Sequence, residues 1–155
     1  MKLTGITRRI DNLGRIVIPK EIRSNMHISN GDLLDISILS NNEILLRKYS
    51  LINENIDYIN NYIKILSKLL NCNVYITDKE KIIFSSKDEF VNKKIEVISD
   101  NKVLIDEIYI KQRKAFKLLP NGDFCGYLIF DSIDESKNDL IDLSVKYITE
   151  SLEIL

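Results

Sequence analysis

The chain has 155 residues, 45% of them hydrophobic and 29% charged, so it can bury a core and is not a disordered chain. Its length fits one average domain or two small ones, and its formal net charge is -1. That total conceals an asymmetry. Residues 1–50 carry eight Lys/Arg against five Asp/Glu, whereas residues 51–155 carry fourteen against eighteen. We therefore expect a small basic module joined to an acidic one.

The inventory of reactive residues argues against an enzyme. The N-terminal segment lacks the apolar stretch of a signal peptide, and no run approaches the roughly 18 apolar residues of a membrane span. Cys72 and Cys125 are far apart and outside a CxxC pattern, and His27 is the only histidine. The sequence also lacks nucleophile-elbow, zinc-protease, P-loop and dinucleotide-binding motifs. We expect no catalytic residue, cofactor, metal site or membrane association, and a cytoplasmic location.

In the first fifty residues the sequence predicts four short strands, three turns and one helix. Asp11-Asn12-Leu13-Gly14 is a turn between β-branched flanks, and Pro19 is well placed to open a helix. Strands are expected at 4–10, 15–18, 33–39 and 43–48, and a helix at 20–26. Leu34, Ile36 and Ile38 share one strand face. Because fifty residues give only a marginal core, we expect this block to be an obligate dimer.

The second block predicts a helix over 51–71. Its apolar residues recur at spacings of four and three: Ile52, Ile56, Ile59, Ile63, Leu66 and Leu70. This pattern fits a heptad seam between subunits, and it fits equally a helix packed on its own domain.

The third block, 72–155, predicts an α+β domain. Strands are expected at 73–76 and 82–85, a mostly helical stretch at 88–108, a hairpin of 114–119 with 124–130, and a helix from about Glu135. The last helix repeats the four–three spacing at Ile141, Val145, Ile148, Leu152 and Leu155. Two such seams suggest helices that meet between subunits, so a tetramer through helices 51–70 and 135–155 is an open expectation beside a dimer.

Basic residues cluster near the start of the chain. They are Lys2, Arg8, Arg9, Arg15 and Arg23. Arginine presents a planar fork of donors that suits phosphates and guanine edges in the major groove. In a two-fold dimer the four arginines double to eight, enough for a positive face. Ordinary solvated charge is the alternative explanation.

The run RRIDNLGRIVIPKEIR, residues 8–23, closely resembles the AbrB-type swapped-hairpin DNA-binding domain, and the resemblance covers residues 1–50. It implies an all-β dimeric barrel whose subunits exchange hairpins, with one short helix per chain. It also implies that the protein binds double-stranded DNA and acts as a transition-state or sporulation regulator. The DNA-contacting positions fall on Arg8, Arg15 and Arg23, with Arg9 close by. Relatives often carry a second basic residue where this chain has Ser24, which adds no charge.

The same resemblance implies roles for apolar residues. The residues implied to form the barrel core are Leu13, Ile16, Val17, Ile18, Ile22, Leu34, Ile36 and Ile38. Farther along, SSKDEFVNKKI, NGDFCGYLIF and the element order resemble sporulation regulators in which a helical linker leads to a GAF-like domain. The implied division is 1–50 for DNA binding, 51–71 for the linker, and 72–155 for a GAF-like regulatory and oligomerisation domain.

Two other functions stay open. GAF-like domains often bind small molecules, so a ligand of the third block is conceivable, although nothing in the sequence supports one. MazE-type antitoxins share the barrel and bind a toxin protein as well as their own promoter. Those chains usually end in a flexible acidic tail, whereas residues 72–155 are patterned for a packed domain.

Overall fold

The structure is a computed structural model that describes residues 5–87, 89–100, 102–106, 108–109 and 113–153. It divides the chain into two compact units, Met1–Tyr49 and Ser50–Leu155. Two residues named above, Lys2 and Leu155, lie outside the described residues. None of the described helices combines the length and the apolar content needed to cross a bilayer.

The first unit contains one short helix and one hairpin among its described residues. Helix α1 spans Lys20–Asn25, strand β1 spans Leu34–Ile38 and strand β2 spans Ile44–Lys48. Pro19 immediately precedes α1, as predicted. Strands β1 and β2 pair antiparallel with Ile36 opposite Leu46, which confirms the predicted hairpin.

The two strands predicted before α1 do not form within one chain. Residues 5–10 and 15–18 have no strand assignment, and they meet only at the turn, where the Asp11 amide donates to the Arg15 carbonyl at 3.0 Å. A two-stranded ribbon is marginal in water without further strands to pack on, and β1 with β2 is the ribbon that forms among the described residues of this unit. Among the described residues, no strand pairs with these two segments, 5–10 and 15–18.

The predicted barrel core is also absent from a single chain. None of residues 5–49 is fully buried. Of the eight predicted core residues, five are exposed, among them Leu13, Val17 and Ile38, and three are only half-buried. On β1 the apolar Ile36 is 66% exposed, whereas Ser37 is half-buried. The barrel core was predicted for a dimer, so it stays a prediction: in a dimer the surface that covers these residues comes from the second chain.

The second unit is a mixed α and β domain. Its helices are α2 (Leu51–Glu54), α3 (Ile56–Leu70) and α4 (Asn138–Glu153), and its strands are β3 (Val74–Thr77), β4 (Ile82–Ser85), β5 (Ile95–Ser99), β6 (Lys102–Ile105), β7 (Ile108–Tyr109), β8 (Arg113–Leu118) and β9 (Gly126–Asp131). A four-stranded sheet has the order β4-β3-β9-β8, and a three-stranded sheet has the order β5-β6-β7. The strands β3, β4, β8 and β9 and the final helix were predicted correctly. The helical interpretation of 88–108 was wrong.

The four-stranded sheet is buried on both faces. Val74 and Ile76 of β3 pack with the helices, while Tyr75 between them packs with β6 on the other face. Ile82 and Phe84 are two positions apart in β4, and side chains at that spacing normally point to the same face of a sheet. A β-bulge in the pairing of β3 with β4 turns them to opposite faces instead. The sheet is therefore a central layer with helices on one side and the small sheet on the other.

Both predicted heptad seams are buried inside their own chain. The fully buried members are Ile52, Ile59, Ile63, Leu66, Leu70, Ile141, Ile148 and Leu152, and all belong to one cluster with the sheet. Helices α3 and α4 also meet directly, since the Tyr62 hydroxyl donates to Ser144 Oγ at 3.0 Å. The expectation that these seams pack between subunits is thus wrong. Heptad spacing specifies an apolar helix face but not which surface covers it.

Candidate nucleic-acid interface

Arg15 is held at the tip of the first turn by Asp11. Asp11 Oδ1 accepts the amides of Leu13 and Arg15, both at 2.9 Å, and Oδ2 accepts Arg15 Nε at 2.7 Å. Gly14 takes the left-handed backbone that the turn needs, with φ +76°. The Arg15 amide, and then its side chain, hold the pKa of Asp11 below the usual value. Only Nε of Arg15 is engaged and 71% of the side chain is exposed, so its two terminal nitrogens face solvent.

Arg8, Lys20 and Arg23 line one groove of about 620 Å³. The groove runs between residues 5–8 and 17–23, so it joins the start of the chain to α1. Arg8 Nη1 donates to the neighbouring Thr7 carbonyl at 2.9 Å, and Arg23 Nη1 donates to Asn30 Oδ1 at 3.3 Å. One acid, Glu21, also lines it. The result is a concave surface with three cations and one carboxylate, which suits an anion.

The cations of this groove differ from those of the hairpin in how they are paired. Among the described residues, Arg8, Lys20 and Arg23 have no ion pair with a carboxylate. On the hairpin, Arg47 is paired with Asp35 at 2.6 Å and Lys48 with Asp32 at 3.2 Å. The uncompensated positive charge of the first unit therefore lies before residue 24.

The structure brings some predicted residues together and leaves others apart. Arg8 and Arg23 share the groove, Arg15 occupies the turn, and Arg9 is exposed. Ser24, next to Arg23, is exposed and supplies a hydroxyl without charge. Sequence reasoning missed Lys20. The available signal was its position directly after Pro19, at the first turn of α1, where its side chain reaches the groove.

Metal binding and thiol chemistry find no support among the described residues. No group of three or more His, Cys, Asp or Glu within them could hold a metal ion. Both cysteines are free thiols. Burial raises the pKa of Cys125 to about 11, and burial also raises the pKa of Cys72, so neither thiol is primed as a nucleophile.

Comparison with known proteins finds relatives of the part of the chain that contains this site. Residues 7–53 match a family model described as antidote-toxin recognition MazE, bacterial antitoxin. The chain is 46% identical to stage V sporulation protein T of Bacillus subtilis (strain 168) over 98 residues, 61% of this chain and 55% of that protein. It is 47% identical over 49 residues to the transition state regulatory protein AbrB of the same organism, covering 32% of this chain and 50% of that one.

A third relative is the putative transition state regulator Abh of the same organism, 39% identical over 49 residues, 32% of this chain and 52% of that protein. The chain spans about half the length of the curated relatives it matches. The match to stage V sporulation protein T is longer than the first unit, so it extends into the second. The chain therefore resembles AbrB-type regulators in its first unit and stage V sporulation protein T over a longer stretch.

Proposed function

Because the chain resembles these regulators, we propose that it is a sequence-specific DNA-binding transcription regulator of the sporulation or transition-state type, acting in the cytoplasm on the nucleoid. The observation that carries this proposal is the groove in which Arg8, Lys20 and Arg23 meet without an ion-paired carboxylate among the described residues. Backbone phosphates supply the charge that such a groove lacks. The exposure of Arg15 at the tip of the turn supports a proposed contact of its guanidinium with base edges.

The functional form proposed for the first unit is a dimer with exchanged hairpins. The large apolar side chains exposed in one chain supply the interface. Those that are more than half exposed are Ile10, Leu13, Ile16, Val17, Leu33, Ile36, Ile38 and Ile44. A monomer does not leave so much apolar surface in water without cost, since each such side chain gains about 1.5–3 kcal/mol on full burial. Pairing residues 5–10 and 15–18 with strands of a second chain also satisfies their backbone groups.

The second unit is proposed to be a GAF-like regulatory and oligomerisation domain. Its central antiparallel sheet with α3 and α4 on one face supports this proposal. The outer face of these helices carries large exposed apolar residues, namely Tyr58, Ile65, Leu69, Leu143 and Tyr147. The hydroxyls of Tyr58 and Tyr147 contact each other within this face. A tetramer, if one forms through these helices, uses this outer face and not the buried seams.

The test of DNA binding compares single substitutions. Arg15→Ala and Arg23→Ala should each weaken binding to a cognate promoter fragment by about 1–3 kcal/mol if they reach bases, and should relax sequence preference. Folding should survive, because Arg15 is exposed, Arg23 is only half-buried, and substitutions outside a core usually change stability by about 0.5 kcal/mol or less. Lys146→Ala is the matched control, since Lys146 is an exposed cation on α4 in the other unit. If both arginine variants fold and bind as the control does, the DNA face lies elsewhere.

A second candidate, an antitoxin that binds a toxin protein and its own promoter, rests on the family model that matches residues 7–53. An antitoxin of that type captures its toxin with a flexible acidic tail. In this chain the residues after 49 form a compact unit with its own buried core. Circular dichroism of the full chain separates the two, because a toxin-binding tail would gain structure when a toxin is added, whereas a packed domain would not change.

A further inference from the structure

Arg113, at the start of β8, is a buried cation whose terminal nitrogens lack partners. The residue is 1% exposed. Its Nε donates to Asp131 Oδ1 at 2.7 Å, but neither Nη1 nor Nη2 has a hydrogen-bond partner among the residues that the structure describes. The four N–H groups on these two nitrogens are therefore buried without a partner among the described residues. Native proteins very rarely leave buried donors in this state, so each such group calls for an explanation.

The unpartnered end of Arg113 lies between two aromatic rings. Its guanidinium carbon is 5.8 Å from the centroid of the Tyr75 ring and 5.5 Å from that of Phe90. These rings also contact each other edge to face, with centroids 6.2 Å apart. Rings at this distance attract the cation but accept no conventional hydrogen bond. They stabilise the charge without satisfying the donors.

Asp131 accepts three hydrogen bonds through its carboxylate, and only one of them comes from Arg113. Oδ1 accepts from Arg113, and Oδ2 accepts the Tyr75 hydroxyl at 2.5 Å and the Asn73 side-chain amide at 3.4 Å. Burial, and then the bond to Asp131, raise the pKa of the Tyr75 hydroxyl, so it stays a donor to that carboxylate. Tyr75 and Asn73 thus hold Asp131 beside Nε of Arg113, whereas Nη1 and Nη2 of Arg113 have no acceptor among the described residues.

The surroundings of Nη1 and Nη2 indicate which kind of acceptor could bind to them. The fork of Nη1 and Nη2 matches two oxygens of a planar anion. Asp131 already places one negative charge beside the guanidinium, so a second single charge is tolerated better than a doubly charged phosphate. The same cluster is otherwise apolar, with Val103, Ile105 and Ala115 buried in it. Apolar neighbours of this kind favour an acceptor with a short hydrocarbon body.

We propose that Arg113, Tyr75 and Phe90 form the binding site of a small organic acid that carries one carboxylate and a short apolar body. The carboxylate bonds to Nη1 and Nη2 of Arg113, and the body packs on the aromatic rings. The site lies on the face of the central sheet that points away from α3 and α4. It is formed entirely within the second unit, so it does not depend on DNA binding by the first.

The test titrates the full-length protein with isovalerate and benzoate, and with isovaleramide and benzamide as uncharged analogues. Calorimetry gives stoichiometry, and nitrogen-detected NMR follows the guanidinium of Arg113. At least one acid should bind once per chain, shift the Nη signals and bind about tenfold or more tightly than its amide, because a charged hydrogen bond is lost in the amide.

Two variants and a control locate the site. Phe90→Ala removes one wall but keeps the ion pair with Asp131, and it should weaken binding severalfold. Arg113→Lys keeps a positive charge but loses the fork, and it should abolish binding. Lys146→Ala, on α4, should bind as the wild type does.

The proposal is overturned if neither acid shifts the Nη signals at tens of millimolar, which would mean that water alone satisfies Arg113. It is also overturned if acid and amide bind equally, or if folded Arg113→Lys or Phe90→Ala binds unchanged. None of these readouts uses DNA, so a failure here is separate from a failure of the proposed regulator function.

Discussion

A carboxylate placed on the exposed apolar face of β1 should separate the two subunits of the first unit. We choose Ile36→Asp, because Ile36 is 66% exposed in a single chain and lies opposite Leu46 in the hairpin. In a single chain the substitution should change stability little, because the Ile36 side chain is mostly exposed. In the proposed dimer it places an unpaired carboxylate in the shared core, once in each subunit.

The size of the effect follows from the exposed fraction. Full burial of an isoleucine stabilises by about 1.5–3 kcal/mol, and about two-thirds of that remains to be gained at Ile36, so each copy contributes about 1–2 kcal/mol. Two copies contribute about 2–4 kcal/mol, and 1.4 kcal/mol corresponds to a factor of ten. The lost burial alone should raise the dimer dissociation constant at least about thirtyfold. Desolvation of the two carboxylates adds several kcal/mol more.

Hydrogen exchange read by mass spectrometry is the assay, because it reports each unit of the full chain separately. In the wild type, protection of peptides from 5–49 should rise with protein concentration. In Ile36→Asp these peptides should exchange rapidly, whereas peptides from 50–153 should keep their protection. Ser40→Asp is the matched control, an equal charge on an exposed residue of the same hairpin. The reasoning is refuted if Ile36→Asp is as protected as Ser40→Asp.

Three further predictions follow from the second unit. Gly126→Ala should destabilise it by about 1–3 kcal/mol or more in urea denaturation, because a Cβ there would lie 1.9 Å from a backbone oxygen of β3; unchanged stability would contradict this. In a variant with Cys72 replaced by serine, Cys125 should react with iodoacetamide at pH 8 about a hundredfold more slowly than a free thiol. The reason is that its pKa of about 11 lies two units above the ordinary thiol pKa of 9.0, so far less of it is thiolate. A rate like that of free cysteine would show that the thiol is unperturbed. Ile65→Asp combined with Leu143→Asp should leave a dimer in light scattering if the wild type is a tetramer, and an unchanged tetramer would exclude the outer helix face.

Local turn chemistry made much of the first unit predictable. Asn and Gly at the turn, Pro19 before α1 and alternating residues in β1 and β2 each act over a few residues, and the structure has these elements where they were expected. The core was not predictable for one chain. Ile36 and Ile38 follow a strand pattern, but a pattern does not say that the surface covering them lies on another molecule.

The second unit shows two limits of periodicity. Val91, Ile95 and Ile98 have the spacing of a helix face, yet β5 begins at Ile95, and the abundance of β-branched residues was the signal that favoured a strand. Helix α3 has heptad spacing, yet Ile59 and Ile63 pack on a sheet of their own chain. A sheet and a second helix both require an apolar face on α3, so the spacing does not distinguish them.

The proposed acid site could not be found from sequence. Arg113 and Asp131 are eighteen residues apart, and they become neighbours only because β8 and β9 pair in a register that sets them opposite each other. Tyr75 and Phe90 come from two other segments. Before the structure, Arg113 was one of many charged residues in an acidic half of the chain.

The central claim, that the first unit binds DNA through its arginines, is tested most directly by a salt titration. Affinity of the purified full chain for an AT-rich promoter duplex is measured at increasing potassium chloride. If six to eight arginines of one dimer meet phosphates, the logarithm of the association constant should fall linearly against the logarithm of salt concentration, with a slope of roughly -5 to -7. A slope near zero, or no binding at low salt, would contradict the account.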